Sequence, residues 1–303
     1  VSPEDGLEAL ASARRAWADG NGRWPTAKVE ERIEAVERFI AAMIARRDVV
    51  CRLLLWEIAK TWPDAQGEFD RTIQYLRETV EALKELDRQN SRLQMRDGII
   101  AQVRRAPLGV TLCMGPFNYP LNETMTTLLP ALIMGNPVVV KVPRYGPLLW
   151  DALLEPLRDC FPAGVVNVVN GEGSRIIPPL MKSGDVDVLA FIGSSRAAHS
   201  IKSAHPRLHR LRGVLGLDAK NPALIMNDAD LGVAVSECVR GALSFNGQRC
   251  TGLKVLFVQR GIAERFVAAL SDAVNALPNA LPFVPGAKLT PLCEDGKAAR
   301  LDA

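Results

Sequence analysis

Four short apolar runs, VTLCM, NPVVVKV, GVVNVV and DVLAFI, recur between residues 110 and 192. Between them lie stretches with helical spacing, such as NETMTTLLPALIM and LLWDALLEPLRDC. A strand that is apolar along its whole length must be covered on both faces, and strands alternating with helices join in parallel through crossovers. The expected fold class is therefore α/β, a doubly wound, Rossmann-like parallel sheet whose ligand lies beyond the C-terminal ends of its strands.

The flanking segments read differently. From Val29, apolar residues at Ile33, Val36, Ile40 and Ile44 fall on one helical face, and the first ninety residues read as helices. Lys60 to Gly67 holds a Pro and a Gly and predicts a break, with a second helix from about Glu68 to Leu86. RLQMRDGIIAQVRRAPLGV alternates about Asp97-Gly98, which predicts a hairpin at about residues 92–106. A further βα pattern starts near Pro222, with PALIM, DADLGVAVSECVRGALSF, KVLFVQ and IAERFVAALSDAVNAL. The sequence then turns Pro-rich and stops at Ala303 with no sheet completed, as in a domain cut short. The expected domains are residues 1–222, a dinucleotide-binding domain carrying the hairpin, and 223–303, the beginning of a second α/β domain.

Composition narrows the function classes. A net charge of +3 with interspersed charges lacks the basic stripe of a nucleic-acid binder. The six cysteines are scattered with no CxxC pair, and the three histidines all lie between His199 and His209, so neither a metal site nor a disulfide framework is expected. Pro116, Asn118, Asn122 and Glu123 interrupt the most apolar stretch, which argues against a membrane span. With a helix-like start in place of a signal peptide, the expected location is the cytoplasm.

The turns after the strands carry the candidate chemistry. In GPFNYP, Asn118 can donate an amide N–H to a developing oxyanion, or can satisfy its own turn. Lys141 ends the strand NPVVVK, where an ammonium group suits ribose hydroxyls or phosphate, and Arg144 adds a second cation. NGEGSR keeps Gly171 and Gly173 of a GxGxxG pattern but has Ile176 as its third position. FIGSS, with Gly193 and Ser194, leads from a strand into a helix start, where free N–H groups favour phosphate. Cys250 lies in the polar turn LSFNGQRCTGLK beside Arg249, and a neighbouring cation favours thiolate; a small buried hydrophobe is the other reading.

GPFNYP, the lysine ending the next strand, FIGSS, DAKNP and FNGQRC, in this order, resemble the aldehyde dehydrogenase superfamily. The resemblance covers nearly the whole chain. It is most similar to the NADP-dependent, non-phosphorylating glyceraldehyde-3-phosphate dehydrogenases. The resemblance implies that Cys250 attacks an aldehyde to give a thiohemiacetal, whose oxyanion is held by Asn118 and the Cys250 N–H. Hydride transfer to nicotinamide then leaves a thioester. It further implies that Lys141 binds the adenosine ribose or its 2′-phosphate and Ser194 the pyrophosphate. Arg144 stands where NAD-preferring relatives often carry a glutamate, so NADP is expected over NAD. Arg71, Tyr119 and Arg249 match the positions that bind the substrate phosphate, and a phosphorylated aldehyde is the expected small-molecule partner. The hairpin corresponds to an arm that packs on a neighbouring subunit, which implies a homo-oligomer, a dimer or a tetramer.

Two departures from the family pattern stand out. The glutamate of its ELGGK segment, the base for thioester hydrolysis, is replaced by Gly216 in GLDAK, with Asp218 the nearest carboxylate. CoA-acylating semialdehyde dehydrogenases also lack that base and also resemble this chain, and a non-catalytic nucleotide-binding homologue is a third reading. Secondly, the superfamily's catalytic domain continues past the equivalent of Ala303, with a second glutamate and a further substrate arginine. Truncation of a longer chain is the expectation.

Overall fold

The structure, a computed structural model, describes residues 1–302. In chain order it contains α1 (Pro3–Trp17), α2 (Val29–Ile44), α3 (Arg47–Ile58), α4 (Trp62–Asn90), β1 (Gln94–Arg96), β2 (Ile99–Ala101), β3 (Thr111–Met114), α5 (Asn122–Ile133), β4 (Val138–Lys141) and α6 (Leu148–Cys160). There follow β5 (Val166–Val169), α7 (Gly173–Ser183), β6 (Val188–Gly193), α8 (Ser195–Ser203), β7 (Arg212–Leu217), β8 (Asn221–Ile225), α9 (Leu231–Leu243), β9 (Leu253–Val258), α10 (Arg260–Asn275) and α11 (Lys297–Asp302). They fall into two compact units, residues 1–50 with 67–216, and residues 51–66 with 217–303.

The first unit is built on a five-stranded sheet in the order β5-β4-β3-β6-β7. β3 pairs in parallel with β4 and β6, and β4 in parallel with β5. Alternate residues of the apolar runs enter two cores. Leu112, Val139 and Leu189 join Leu10 and Ala13 of α1 and Ile177 and Leu180 of α7. Their neighbours Cys113 and Val140 are equally buried on the opposite face, where Cys113 Sγ donates to the Thr127 carbonyl of α5 at 3.5 Å. Burial on both faces is what removes polar alternation from these strands.

The chain runs β3, β4, β5 to one side of the sheet and returns to place β6 on the other side of β3. That reversal opens a crevice outside the carboxyl ends of β3 and β6, the place where such sheets bind ligands. Register aligns Met114 with both Lys141 and Phe191, so the turns after β3, β4 and β6 leave from one edge.

The hairpin forms as expected, more tightly than residues 92–106. Gln94 pairs with Ala101 and Arg96 with Ile99, and both turn residues, Asp97 (φ 51) and Gly98 (φ 77), have the positive φ of a two-residue primed turn. The expected break at Lys60 to Gly67 is shorter than read: α4 already starts at Trp62. Thr61 Oγ1 accepts from the Asp64 N–H at 3.3 Å, and Pro63 falls in the first turn, where its missing N–H has no helical partner to lose. β7 has no counterpart in the sequence reading.

In the second unit β8 and β9 pair in parallel, and α9 and α10 cover one face with a core of Ile225, Val235, Cys238, Ile262 and Phe266. The pairing steps from Asn221–Leu253 to Pro222–Val255, which leaves Lys254 as a bulge just after the Cys250 turn. Among the described residues no helix is long and apolar enough to cross a membrane, and no group of His, Cys, Asp and Glu side chains is arranged to hold a metal ion.

Candidate active site

In the first unit the predicted residues collect at the sheet edge. Lys141, the last residue of β4, is 6% exposed, and burial pushes its ammonium group down from the ordinary lysine value. A Cβ placed on Gly173, the first residue of α7, would stand 3.8 Å from its Cε and 3.9 Å from its Nζ. The buried cation is thus brought against a helix start, where backbone N–H groups lack helical acceptors. At the end of β6, Gly193 leads into Ser194, whose side chain caps α8 by accepting from the Ala197 N–H at 3.2 Å. Arg144 is exposed, with its Cζ 5.3 Å from the Tyr145 ring, and Tyr145 meets Phe117 edge-on at 6.1 Å. The aromatic pair therefore links the turn after β4 to the residue preceding Asn118.

Asn118 and Tyr119 are half-buried in the turn that enters α5. That helix start has no side-chain cap of its own, and the cap comes from α4. Glu68 Oε1 accepts from the N–H groups of Leu121 and Asn122, both at 3.0 Å, and the Thr72 hydroxyl lies 3.2 Å from Asn122 Oδ1. The contact holds α4 against the turn, and Arg71, between Glu68 and Thr72 on that helix, is exposed.

In the second unit Cys250 is exposed, whereas Cys51, Cys113 and Cys238 are buried and Cys160 and Cys293 half-buried. Three carbonyls of its turn are tied down. Asn221 Nδ2 donates to the Cys250 carbonyl at 2.6 Å and to that of Gly252 at 3.2 Å, and Lys254 Nζ donates to the Arg249 carbonyl at 2.9 Å and the Gly252 carbonyl at 3.0 Å. Arg249 is half-buried and reaches Thr251 Oγ1 at 3.4 Å. An accessible thiol on a pinned backbone suits a nucleophile better than a packing residue. An apolar cavity of about 1090 Å³ elsewhere in this unit, lined by Val235, Val239, Phe245 and Phe283 among others, does not include Cys250.

Residues 1–303 match the aldehyde dehydrogenase family. The chain belongs to that family. An NADP-dependent glyceraldehyde-3-phosphate dehydrogenase of Streptococcus equinus is 34% identical over 305 residues, covering 99% of this chain and 62% of that protein. Malonate-semialdehyde dehydrogenase 2 of Shouchella clausii is 29% identical over 272 residues, covering 89% of this chain and 54% of that protein. The crystal structure of NADP-dependent glyceraldehyde-3-phosphate dehydrogenase from Bacillus halodurans C-125 complexed with NADP superposes with a TM-score of 0.90 at 32% identity, over 99% of this chain and 63% of that one. The chain thus spans less than two thirds of the length of each of these relatives.

Against the family pattern, Gly216 lies in β7 with the position of a Cβ 3.2 Å from Ile192 Cγ1, and Asp218 is exposed between β7 and β8. Asn221 and Glu68 have no role readable from local sequence pattern; Asn221 is the one amide side chain of the DAKNP segment. Glu68 gives no local signal beyond being an acid on a helix that turns out to be buried there, at 3% exposure.

Proposed function

We propose that this chain supplies the cofactor site and the nucleophile of an NADP-dependent oxidation of glyceraldehyde 3-phosphate to 3-phosphoglycerate. The observation that carries the reading is Cys250, the one exposed cysteine of the six, on a turn whose carbonyls are held by Asn221 and Lys254. Its thiolate adds to the aldehyde carbon, and the Asn118 amide and the Cys250 N–H stabilise the resulting oxyanion. The C–H bond of that carbon then breaks, and loss of its hydrogen as hydride, with both bonding electrons, leaves an acyl thioester on Cys250.

The residues present fit a dinucleotide. Lys141 beside Gly173 makes a cationic cradle at the start of α7 that a larger side chain would fill, and the capped start of α8 is a second anion-favouring helix end. In this reading Lys141 and Arg144 hold the adenosine ribose and its 2′-phosphate, and Gly193 and Ser194 face the pyrophosphate. Arg144 favours NADP, and NAD remains usable. When bound, the nicotinamide supplies the two-electron acceptor. Arg71, Tyr119 and Arg249 bind the substrate phosphate, with the paired donors of each guanidinium matching its oxygens. The protein works in the cytoplasm as a homo-oligomer, through the exposed hairpin residues Met95, Ile99 and Ile100.

Gly216 supports a second reading, transfer of the acyl group to CoA, which needs no base-activated water. The test is NADP reduction with glyceraldehyde 3-phosphate, with and without CoA, using Cys250→Ala as control. Turnover without CoA that vanishes in Cys250→Ala supports the first reading. Turnover that requires CoA supports the second.

A further inference from the structure

Lys60 is fully buried, at 0% exposure, in the same unit as Cys250. Burying an ammonium group is costly, and methionine would fill the same volume without a charge. Its Nζ lies 4.7 Å from the centroid of the Phe245 ring, within the range of a cation–π contact, and such contacts strengthen when water is excluded.

Phe245 is no ordinary core residue. It is 4% exposed, and its backbone has φ 50, followed by Asn246 with φ 56 and Gly247 with φ 70. Two successive non-glycine residues in the left-handed region are strained and persist only where their surroundings hold them. Asn246 is held by Thr290: its Nδ2 donates to the Thr290 carbonyl at 2.8 Å and to Oγ1 at 3.1 Å, and its Oδ1 accepts from the Thr290 N–H at 2.9 Å. Three residues past Gly247 the turn reaches Cys250, held by Asn221. On the other side, Ala59 (φ 56) and the Thr61 cap of α4 fix the backbone on both sides of Lys60.

We propose that Lys60 is a positioning residue for the nucleophile, its ammonium group clamping the Phe245 ring and so holding the strained turn that presents Cys250. The inference rests on Cys250 being the nucleophile. It assigns the buried charge to the turn rather than to packing.

The test is the rate of Cys250 alkylation by iodoacetamide in the full chain, for wild type, Lys60→Met, Lys60→Arg and Phe245→Leu. Loss of the cation is expected to slow alkylation about tenfold in Lys60→Met, and Lys60→Arg is expected to stay within about threefold of wild type. A packing role predicts the reverse order, with methionine tolerated and arginine worst, and that order overturns the proposal. Should Lys60→Met fail to fold, Phe245→Leu decides, since it removes the π face and keeps the lysine: slowing upholds the proposal and a wild-type rate overturns it. Failure of the nucleophile reading shows elsewhere, as aldehyde oxidation surviving in Cys250→Ala.

Discussion

The Lys141 ammonium group lies under Gly173, with Nζ 3.9 Å from where a Cβ on that glycine would stand. Because burial has already lowered the proton affinity of Lys141, it loses its charge below the 10.5 of an ordinary lysine. NADP affinity is therefore expected to fall as pH rises through that lowered value. Lys141→Met should bind NADP about 10- to 100-fold more weakly, the range for losing a hydrogen bond to a charged group, and its affinity should lose the alkaline fall. Calorimetric titration of both proteins across alkaline pH checks the prediction.

The cysteines differ enough for selective chemistry. Burial pushes the Cys113 thiol up to about 12, so about one molecule in 10⁵ is ionised there at pH 7. Burial likewise raises Cys160, Cys238 and Cys293. Iodoacetamide is expected to label one equivalent rapidly, at Cys250, and Cys250→Ala should remove that fast phase while leaving the fold intact. Peptide mapping of a short labelling pulse reads the result.

These two cases also show what the sequence makes legible. That Lys141, Asn118, Gly173 and Ser194 lie at one edge of the sheet is readable from position alone, because a parallel sheet sends every strand's C-terminal turn to the same side. Apolar runs announce the central strands, whereas β7 lies at the sheet margin with five of its six residues exposed, so RGVLGL carries no such run. Glu68, Lys60 and Asn221 act on residues 53, 185 and 29 positions away (121 − 68, 245 − 60, 250 − 221), and no local periodicity encodes such a pairing.

Glu68 carries a prediction about the turn that holds Asn118. As a buried carboxylate accepting from two N–H groups at the start of α5, it supplies the cap that the local sequence lacks. Glu68→Ala is expected to destabilise the first unit by about 2–4 kcal/mol, from two charge-assisted bonds partly replaced by water. Glu68→Gln, which keeps one acceptor oxygen, should cost about half as much. Urea unfolding measures both, and aldehyde oxidation should fall with the displaced Asn118.

Acyl release carries the last prediction. Gly216 needs no unusual backbone conformation, since its φ lies outside the left-handed range, so a side chain can be introduced there. A Cβ would press on Ile192 Cγ1 at 3.2 Å, a contact that a shift of a few tenths of an ångström relieves. If the thioester waits for a base, Gly216→Glu should shorten the life of the acyl-enzyme, with a gain of about 10²-fold, the lower range of general-base catalysis. Asp218→Asn should slow release only if that exposed carboxylate serves in the missing glutamate's place. Single-turnover mass spectrometry of acylated Cys250, with and without CoA, separates the cases. Release unaffected by either substitution but accelerated by CoA assigns the second half of the reaction to thiol transfer; acceleration in Gly216→Glu without CoA assigns it to water.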